Sequence, residues 1–204
     1  MRLLLATRNA KKLEELRRIL AAESASVELV GLDDVPPYDE LPETGATFAD
    51  NALLKAREGA RRTGLPTVAD DSGLAVDALN GMPGVYSARW AGRHGDDAAN
   101  LALLLAQLSD VDDERCGAAF VCAAALVLPD RREWTVDGRM PGRLVREPRG
   151  TGGFGYDPIF VADGESRTNA ELPAAEKDAI SHRGIAFRAL AKIIGERVSG
   201  TPAS

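Results

Sequence analysis

The stretch "VADDSGLAV", Val68 to Val76, sets two carboxylates side by side between apolar flanks. Adjacent like charges call for compensation. Four settings could hold such a pair: a turn, a metal ion, a protease-type Asp-Ser-Gly centre or a phosphate-transfer site. Asp71-Ser72-Gly73 satisfies the local protease signature, but that chemistry needs two such aspartates on a mainly β body. One copy stands here among long Leu/Ala-rich helical segments, which sets the protease aside.

Groups suited to anions recur at other segment ends. In "LLLATRNAKKLEE" an apolar run ends at Thr7-Arg8-Asn9 and a helical pattern begins, with Lys12 in its first turn. Exposed N–H groups at a helix start, with a lysine beside them, make an anion site; an Asn-capped turn with surface lysines fits the same residues. Asn51, Lys55, Glu58 and Arg62 form a stripe at i, i+4, i+7 and i+11, whose ordinary setting is a solvated helix face. Glu43 lies in the loop just before that helix, near its positive end. "GTGGFGYD" contains G-x-G-x-x-G at Gly150, Gly152 and Gly155, yet an apolar strand follows instead of the helix a dinucleotide fingerprint requires. The glycines either present Phe154 and Asp157 to a planar base, one stacking and the other accepting a ring N–H, or close a hairpin over a core Phe. Lys177, His182 and Arg183 cluster where one helix gives way to another, with His182 either a ligand contact or a surface cap.

An alternation of strand-like and helix-like segments must hold these groups in place. Strands are predicted at Leu3–Thr7, Val27–Leu32, Thr67–Ala69, Leu74–Ala78, Cys116–Leu128, Glu133–Val136 and around Arg143–Arg146. Helices are predicted at Lys11–Ala22, from an N-cap at Thr47 to about Thr63, from Asp96 or Asp97 to Leu108, and from near His182 to about Val198. The tail "SGTPAS" is expected to fray. Hairpins and βα units occur together, which predicts a mixed α/β fold on a long, twisted sheet and not a simple doubly wound domain.

Composition bounds the rest. A chain of 204 residues suits one domain, or one with a smaller lobe, and 45% hydrophobic with 27% charged residues is ordinary for a soluble protein. A formal charge of −6 argues against holding a nucleic-acid backbone by broad electrostatics, while leaving room for a small anionic ligand at a local lysine cluster. Cys116 and Cys122 have the even spacing of one strand face and read as packed thiols. The first apolar run is too short for a signal peptide and no segment is long enough to span a membrane, so a cytoplasmic protein is expected.

Five segments, "TRNAKKLEE", "ETGATFADNALLKA", "ADDSGLAVDALNGMPGVYSARW", "GGFGYDPIF" and "EKDAISHRGIAFRAL", stand in an order that resembles the Ham1/RdgB-like non-canonical purine nucleoside triphosphate pyrophosphatases. The resemblance runs from Leu4 to about Leu190. It implies a Mg²⁺-dependent homodimer in which an elongated central sheet lies between two lobes of one domain, with the active-site cleft between them. The implied activity is hydrolysis of ITP, dITP and XTP to monophosphate and pyrophosphate, cleansing the nucleotide pool. Carried over by position, Thr7, Asn9 and Lys12 match the phosphate-binding motif, and Lys55 a lysine near the phosphates. Glu43 and Asp71 match the metal-binding acids, and Asp71 also the proton acceptor. Ser72 matches a substrate contact, and Phe154, Gly155, Tyr156, Asp157, Lys177, His182 and Arg183 match nucleoside-binding positions. Arg8, Ala10 and Lys11 depart from the pattern, standing where small or glycine residues are frequent. Asp70 is expected to point away from its neighbour. A Maf-type pyrophosphatase would share the chemistry without these motifs. A non-catalytic purine nucleotide sensor is the alternative from another class; it would keep Phe154 and Arg183 yet could dispense with Asp71.

Overall fold

The strands at Thr67–Val76 and Gly117–Val127 are buried on both faces, whereas the strand at Glu133–Leu144 alternates exposed and buried residues. The computed structural model describes residues 2–23, 27–39 and 41–198; the tail beyond 198, expected to fray, lies outside the described residues. In chain order the elements are β1 (Arg2–Leu5), α1 (Ala10–Glu23), β2 (Glu28–Val30), α2 (Phe48–Thr63), β3 (Thr67–Val76), α3 (Asp97–Gln107), β4 (Gly117–Val127), β5 (Glu133–Leu144), β6 (Phe160–Ala162), α4 (Ala174–Ile180) and α5 (His182–Val198). The strands form a six-stranded sheet ordered β2-β1-β3-β4-β5-β6. β1 runs parallel to β2 and β3, with Leu4 opposite Val30 and Thr67, and β5 runs antiparallel to β6, with Gly142 opposite Ala162. The mixed α/β class is as expected. No described helix is long and apolar enough to cross a membrane.

Several boundaries differ from expectation, beginning with the first strand, which ends at Leu5 instead of Thr7. The strands predicted at Thr67–Ala69 and Leu74–Ala78 are one strand, β3, which carries the acid pair in its middle and passes into a 3₁₀ turn at Asp77–Leu79. The strands predicted at Glu133–Val136 and Arg143–Arg146 are likewise one, β5, ending at Leu144. Pro141 does not end the strand, and the registered pairs with β6 begin just after it, at Gly142. The second strand is also shorter than predicted, since Leu32 belongs to a 3₁₀ turn.

The chain divides into two compact units. One comprises the residues up to Asp71, Cys122–Gly138 and those from Arg183 onward; the other comprises Ser72–Val121 and Arg139–His182. In the first unit, Val68, Cys122, Ala124 and Leu126 pack with Leu16, Leu20, Phe187 and Leu190 of α1 and α5. Their strand neighbours Ala69, Ala123, Ala125 and Val127 pack with Ala52, Ala56 and Ala60 of α2. The second unit has its own core, built on Leu74, Val76, Leu104, Phe120, Met140, Ile159 and Phe160. Both cysteines are buried free thiols, but Cys116 lies just before β4 and only Cys122 is a strand residue, so they do not share a strand face.

Helix α2 starts where the sequence places it. Thr47 accepts from the Asp50 N–H and Asp50 accepts in return from the Thr47 N–H; Gly64, at φ +67°, closes the other end. Its polar stripe is not a solvated face, because Asn51 is fully buried and Glu58 nearly so. Glu58 accepts from Arg61 and Arg62, both at 2.7 Å. Those hydrogen bonds, Arg61's first, hold its pKa down at about 2 against the opposing effect of burial. A depressed carboxyl adds stability above its ordinary pKa and loses it as pH falls through the folded value. Glu58→Gln should therefore lower stability at pH 7 by about 1 kcal/mol, the half-exposed arginines screening the rest. Thermal melts of both proteins should converge as pH falls from the ordinary glutamate range to about 2; a difference that persists there would contradict this role.

Candidate active site

Successive side chains of a strand point to opposite faces, and this separates the paired acids of β3. Asp70 shares the α1/α5 face with Val68, and Asp71 shares the α2 face with Ala69. Asp70, with no exposed side-chain surface, accepts on Oδ2 from Lys12 Nζ at 3.0 Å, and the Arg183 Nε lies 3.5 Å from the same oxygen. Arg183 also donates through Nη1 to Glu15 at 3.1 Å, itself a buried residue one turn beyond Lys12. Burial resists ionisation of Asp70, but the charges of Lys12, Arg183 and Lys55 overcome it and hold the carboxyl well below the usual range.

Asp71 has a different environment. Asn51 Nδ2 donates to Asp71 Oδ2 at 2.9 Å, and the Lys55 ammonium lies 3.7 Å from Oδ1. The same ammonium donates to Glu43 Oε1 at 2.8 Å, so two carboxylates converge on one cation. Burial pushes the Asp71 carboxyl up, and Lys55 and Lys12 pull it down without cancelling the rise. Burial also works against the Lys55 ammonium, yet Asp71, Asp70 and Glu43 together raise its pKa. Asp71 is thereby the better proton acceptor of the pair.

The loop that brings Glu43 to this place is fixed by Asn51, whose Oδ1 accepts from the Gly45 N–H at 2.7 Å. A Cβ at position 45 would come within 2.5 Å of Asp50 Cβ, so only glycine allows this approach. Asn51, which joins Asp71 to this loop, is a residue of the site that the sequence did not single out. It heads the polar stripe of α2, and the signal was an amide four residues before Lys55 on an alanine-rich face.

Thr7, Asn9 and Lys12 come together at the β1–α1 turn. Asn9 caps α1 by accepting the Lys12 N–H at 3.1 Å, and Thr7 Oγ1 accepts the Asn9 N–H at 3.3 Å. The capped turn and the lysine are thus both present. Arg8 donates to the Tyr38 carbonyl at 2.9 Å, tying this turn to the segment between β2 and α2.

In the second unit Asp157 is the centre of the predicted base-binding residues. Its Oδ2 accepts from Lys177 Nζ at 2.5 Å and from the Phe154 N–H at 2.8 Å, while the Lys177 ammonium lies 5.4 Å from the Phe154 ring centroid. Phe154 is half-buried and outside the apolar core, so the glycine loop does not close over a core Phe. Gly155 donates to Asp97 at 2.9 Å, and the buried Tyr156 phenol donates to the Ser87 carbonyl at 2.9 Å, so these two hold the loop down. Burial, and then Asp97, pushes the Tyr156 phenol up, keeping it protonated as that donor. His182 is buried and stacked on Phe120, with centroids 4.9 Å apart and an interplanar angle of 11°, which excludes a surface cap. Ser72 is half-buried on β3 directly after Asp71. Among the predicted residues, Phe154, Asp157 and Lys177 form one cluster, while Arg183 belongs to the Asp70 cluster of the first unit.

Asp70→Asn would leave Lys12 and Arg183 without the carboxylate they share. Because Glu15 still holds Arg183, the expected loss is about 3 kcal/mol, the lower end for breaking a buried ion pair. Urea unfolding measures it, and an unchanged midpoint would show that these charges are already well solvated.

A sequence profile of the Ham1 family matches residues 3–193. A dITP/XTP pyrophosphatase of Nocardia farcinica is 70% identical over 190 residues, covering 93% of this chain and 92% of its own. One of Streptomyces coelicolor is 63% identical over 195 residues, covering 96% and 98%. Among solved structures, a nucleoside-triphosphatase / dITP/XTP pyrophosphatase from Mycobacterium abscessus superposes with a TM-score of 0.77 at 66% identity, covering 93% of this chain and 98% of that one. A HAM1 protein from Coxiella burnetii gives 0.85 at 41% identity, covering 96% and 99%.

Proposed function

This chain belongs to the Ham1 family, and we propose that it hydrolyses ITP, dITP, XTP and dXTP to the monophosphate and pyrophosphate, clearing non-canonical purines from the nucleotide pool. The observation that carries this reading is the convergence of Glu43 and Asp71 on Lys55, beside a capped helix start that bears Lys12. Oxygen donors, cations and N–H groups together are what a polyphosphate and its metal require.

The donor set fits Mg²⁺. Glu43 and Asp71 are hard oxygen donors aimed at one positive charge, and no group of three or more His, Cys, Asp or Glu side chains is gathered for a metal among the described residues. Two carboxylates suffice for an ion that takes its remaining ligands from phosphate and water. When bound, the ion neutralises phosphate charge and polarises the P–O bonds. The chain supplies the rest. Lys12 and Lys55 hold the triphosphate with the α1 N-terminus and Thr7 and Asn9, and Ser72 contacts it beside Asp71. Asp71, its carboxyl raised by burial, orients a water and takes its proton as the water oxygen attacks the α-phosphorus. The bond to the bridging oxygen breaks, and pyrophosphate leaves.

Base selection follows from hydrogen-bond polarity. Hypoxanthine and xanthine offer a 6-oxo acceptor and an N1–H donor, which suit Lys177, His182 and Arg183 as donors and Asp157 as acceptor. Phe154 stacks on the ring, and Gly155 and Tyr156 hold the loop. Adenine reverses both groups and is refused, whereas guanine shares the pattern and must be excluded at its 2-amino group. The enzyme works as a cytoplasmic homodimer without nucleic-acid or membrane partners. A nucleotide sensor would bind through the same base contacts but would need no proton acceptor such as Asp71.

A panel of purified triphosphates, with Mg²⁺ and with chelator, tests the reaction. Monophosphate and pyrophosphate should form from ITP and XTP, slowly from ATP, and not with chelator; a diphosphate product would mean a different bond breaks. Asp71→Asn preserves shape while removing the base and one metal charge. Its kcat should fall on the order of 10²–10⁴-fold, and near-normal turnover at saturating Mg²⁺ would rule Asp71 out as proton acceptor.

A further inference from the structure

We infer that Asn169 is a positioning residue for base recognition, acting through Asp157; this rests on the substrate reading above. Asn169 is 1% exposed and donates Nδ2–H to Asp157 Oδ1 at 3.2 Å. The other oxygen, Oδ2, takes Lys177 and the Phe154 N–H. The terminal torsion of an aspartate is soft, and an ammonium accepts many approach angles, so Lys177 alone does not fix the carboxylate plane. A directional amide on one oxygen and a backbone N–H on the other do. The stacking ring, the ammonium donor and the carboxylate acceptor proposed for the base are thus held in register by one planar group, and Asn169 anchors its far side.

The support behind Asn169 is rigid. It opens the 3₁₀ turn Asn169–Glu171, whose preceding residue, Thr168, donates its N–H to Glu171 at 2.7 Å and its hydroxyl to the Arg149 carbonyl at 2.8 Å. Gly152 donates to the Ala170 carbonyl at 2.9 Å. At Gly150, with φ +80°, a Cβ would lie 2.4 Å from the Ala170 carbonyl carbon, so the turn packs directly on the glycine loop. The Asn169 amide therefore reaches Asp157 from a fixed wall.

A second observation favours a role beyond filling space. With its amide nitrogen toward Asp157, Asn169 keeps Oδ1 buried with no hydrogen-bond partner among the described residues. A buried acceptor left unpaired costs stability, and an apolar side chain of similar volume would avoid that cost. The donor to Asp157 is what the asparagine retains in exchange.

The test uses the full chain with Mg²⁺ and three variants: Asn169→Leu, similar in volume without a donor; Asn169→Asp, the same shape with an acceptor facing Asp157; and Asn169→Ser, a shorter donor. KM and kcat are measured for ITP and ATP, and tripolyphosphate binding provides a probe without a base. Asn169→Leu should raise the ITP KM about tenfold, the scale of one hydrogen bond to a charged group. Its kcat should stay within about twofold, the split expected when only base binding is lost. The ITP-over-ATP preference should fall, and tripolyphosphate affinity should hold. Asn169→Asp should be worse, because its carboxylate competes for Lys177, and Asn169→Ser should lie between wild type and Asn169→Leu. If Asn169→Leu keeps the wild-type KM and preference, the side chain only fills space and the inference is overturned. Equal losses for ITP and tripolyphosphate would overturn it as well, by showing general disruption. A wild-type chain with no preference for ITP over ATP would instead overturn the base reading, and the inference with it.

Discussion

Two carboxylates on adjacent residues of a buried strand need separate compensation, and the pleat of β3 provides it. Asp70 and Asp71 project to opposite faces, so each meets its own partners: Lys12 and Arg183 on one side, Asn51 and Lys55 on the other. The same backbone geometry gives them opposite chemistry. On the cation-rich face the carboxyl is held firmly ionised, and on the other face burial prevails and raises it. A register slip of one residue would exchange the two environments and place the firmly ionised acid on the face where Asp71 is proposed to accept a proton.

This arrangement depends on small residues beneath it. Ala52, Ala56 and Ala60 of α2 pack on Ala69, Ala123 and Ala125 of the sheet. Side chains of one methyl allow a helix to lie close to the strands, and that closeness lets the short Asn51 amide reach Asp71. The capping box at Thr47 then fixes where the helix begins, and with it the position of Asn51 four residues on. Larger residues on either surface would lift α2 and lengthen the Asn51–Asp71 contact.

Local signals made much of this legible. The N-cap at Thr47, the Leu/Ala helices and the long strand at β4 follow from periodicity and capping chemistry, and the family follows from the order of five segments along the chain. What misled was the expectation that charge means solvent. It split β3 at Asp70-Asp71 and gave Asn51 and Glu58 a wet face, although both are buried with partners. The compensating groups for Asp70 come from Lys12, 58 residues earlier, and from Arg183, far later in the chain. No window of sequence contains them together. Asn169 was illegible for the same reason, since its meaning lies in a hydrogen bond to Asp157.

Asp157 and Asp71 show how partners, more than burial, decide what a carboxylate can do. Both are at least 95% buried. Asp157 has a close ammonium at 2.5 Å, a backbone N–H and an amide distributed over its two oxygens. Such a group is fixed in place and charge-balanced, suited to orienting neighbours and presenting an acceptor of constant direction. Asp71 has a neutral amide at 2.9 Å, and its ammonium stands off at 3.7 Å, closer to Glu43 than to itself. For Asp71, burial outweighs the pull of Lys55 and Lys12 and raises the carboxyl. The split of recognition and proton transfer proposed for these two aspartates rests on the distance at which each holds its lysine.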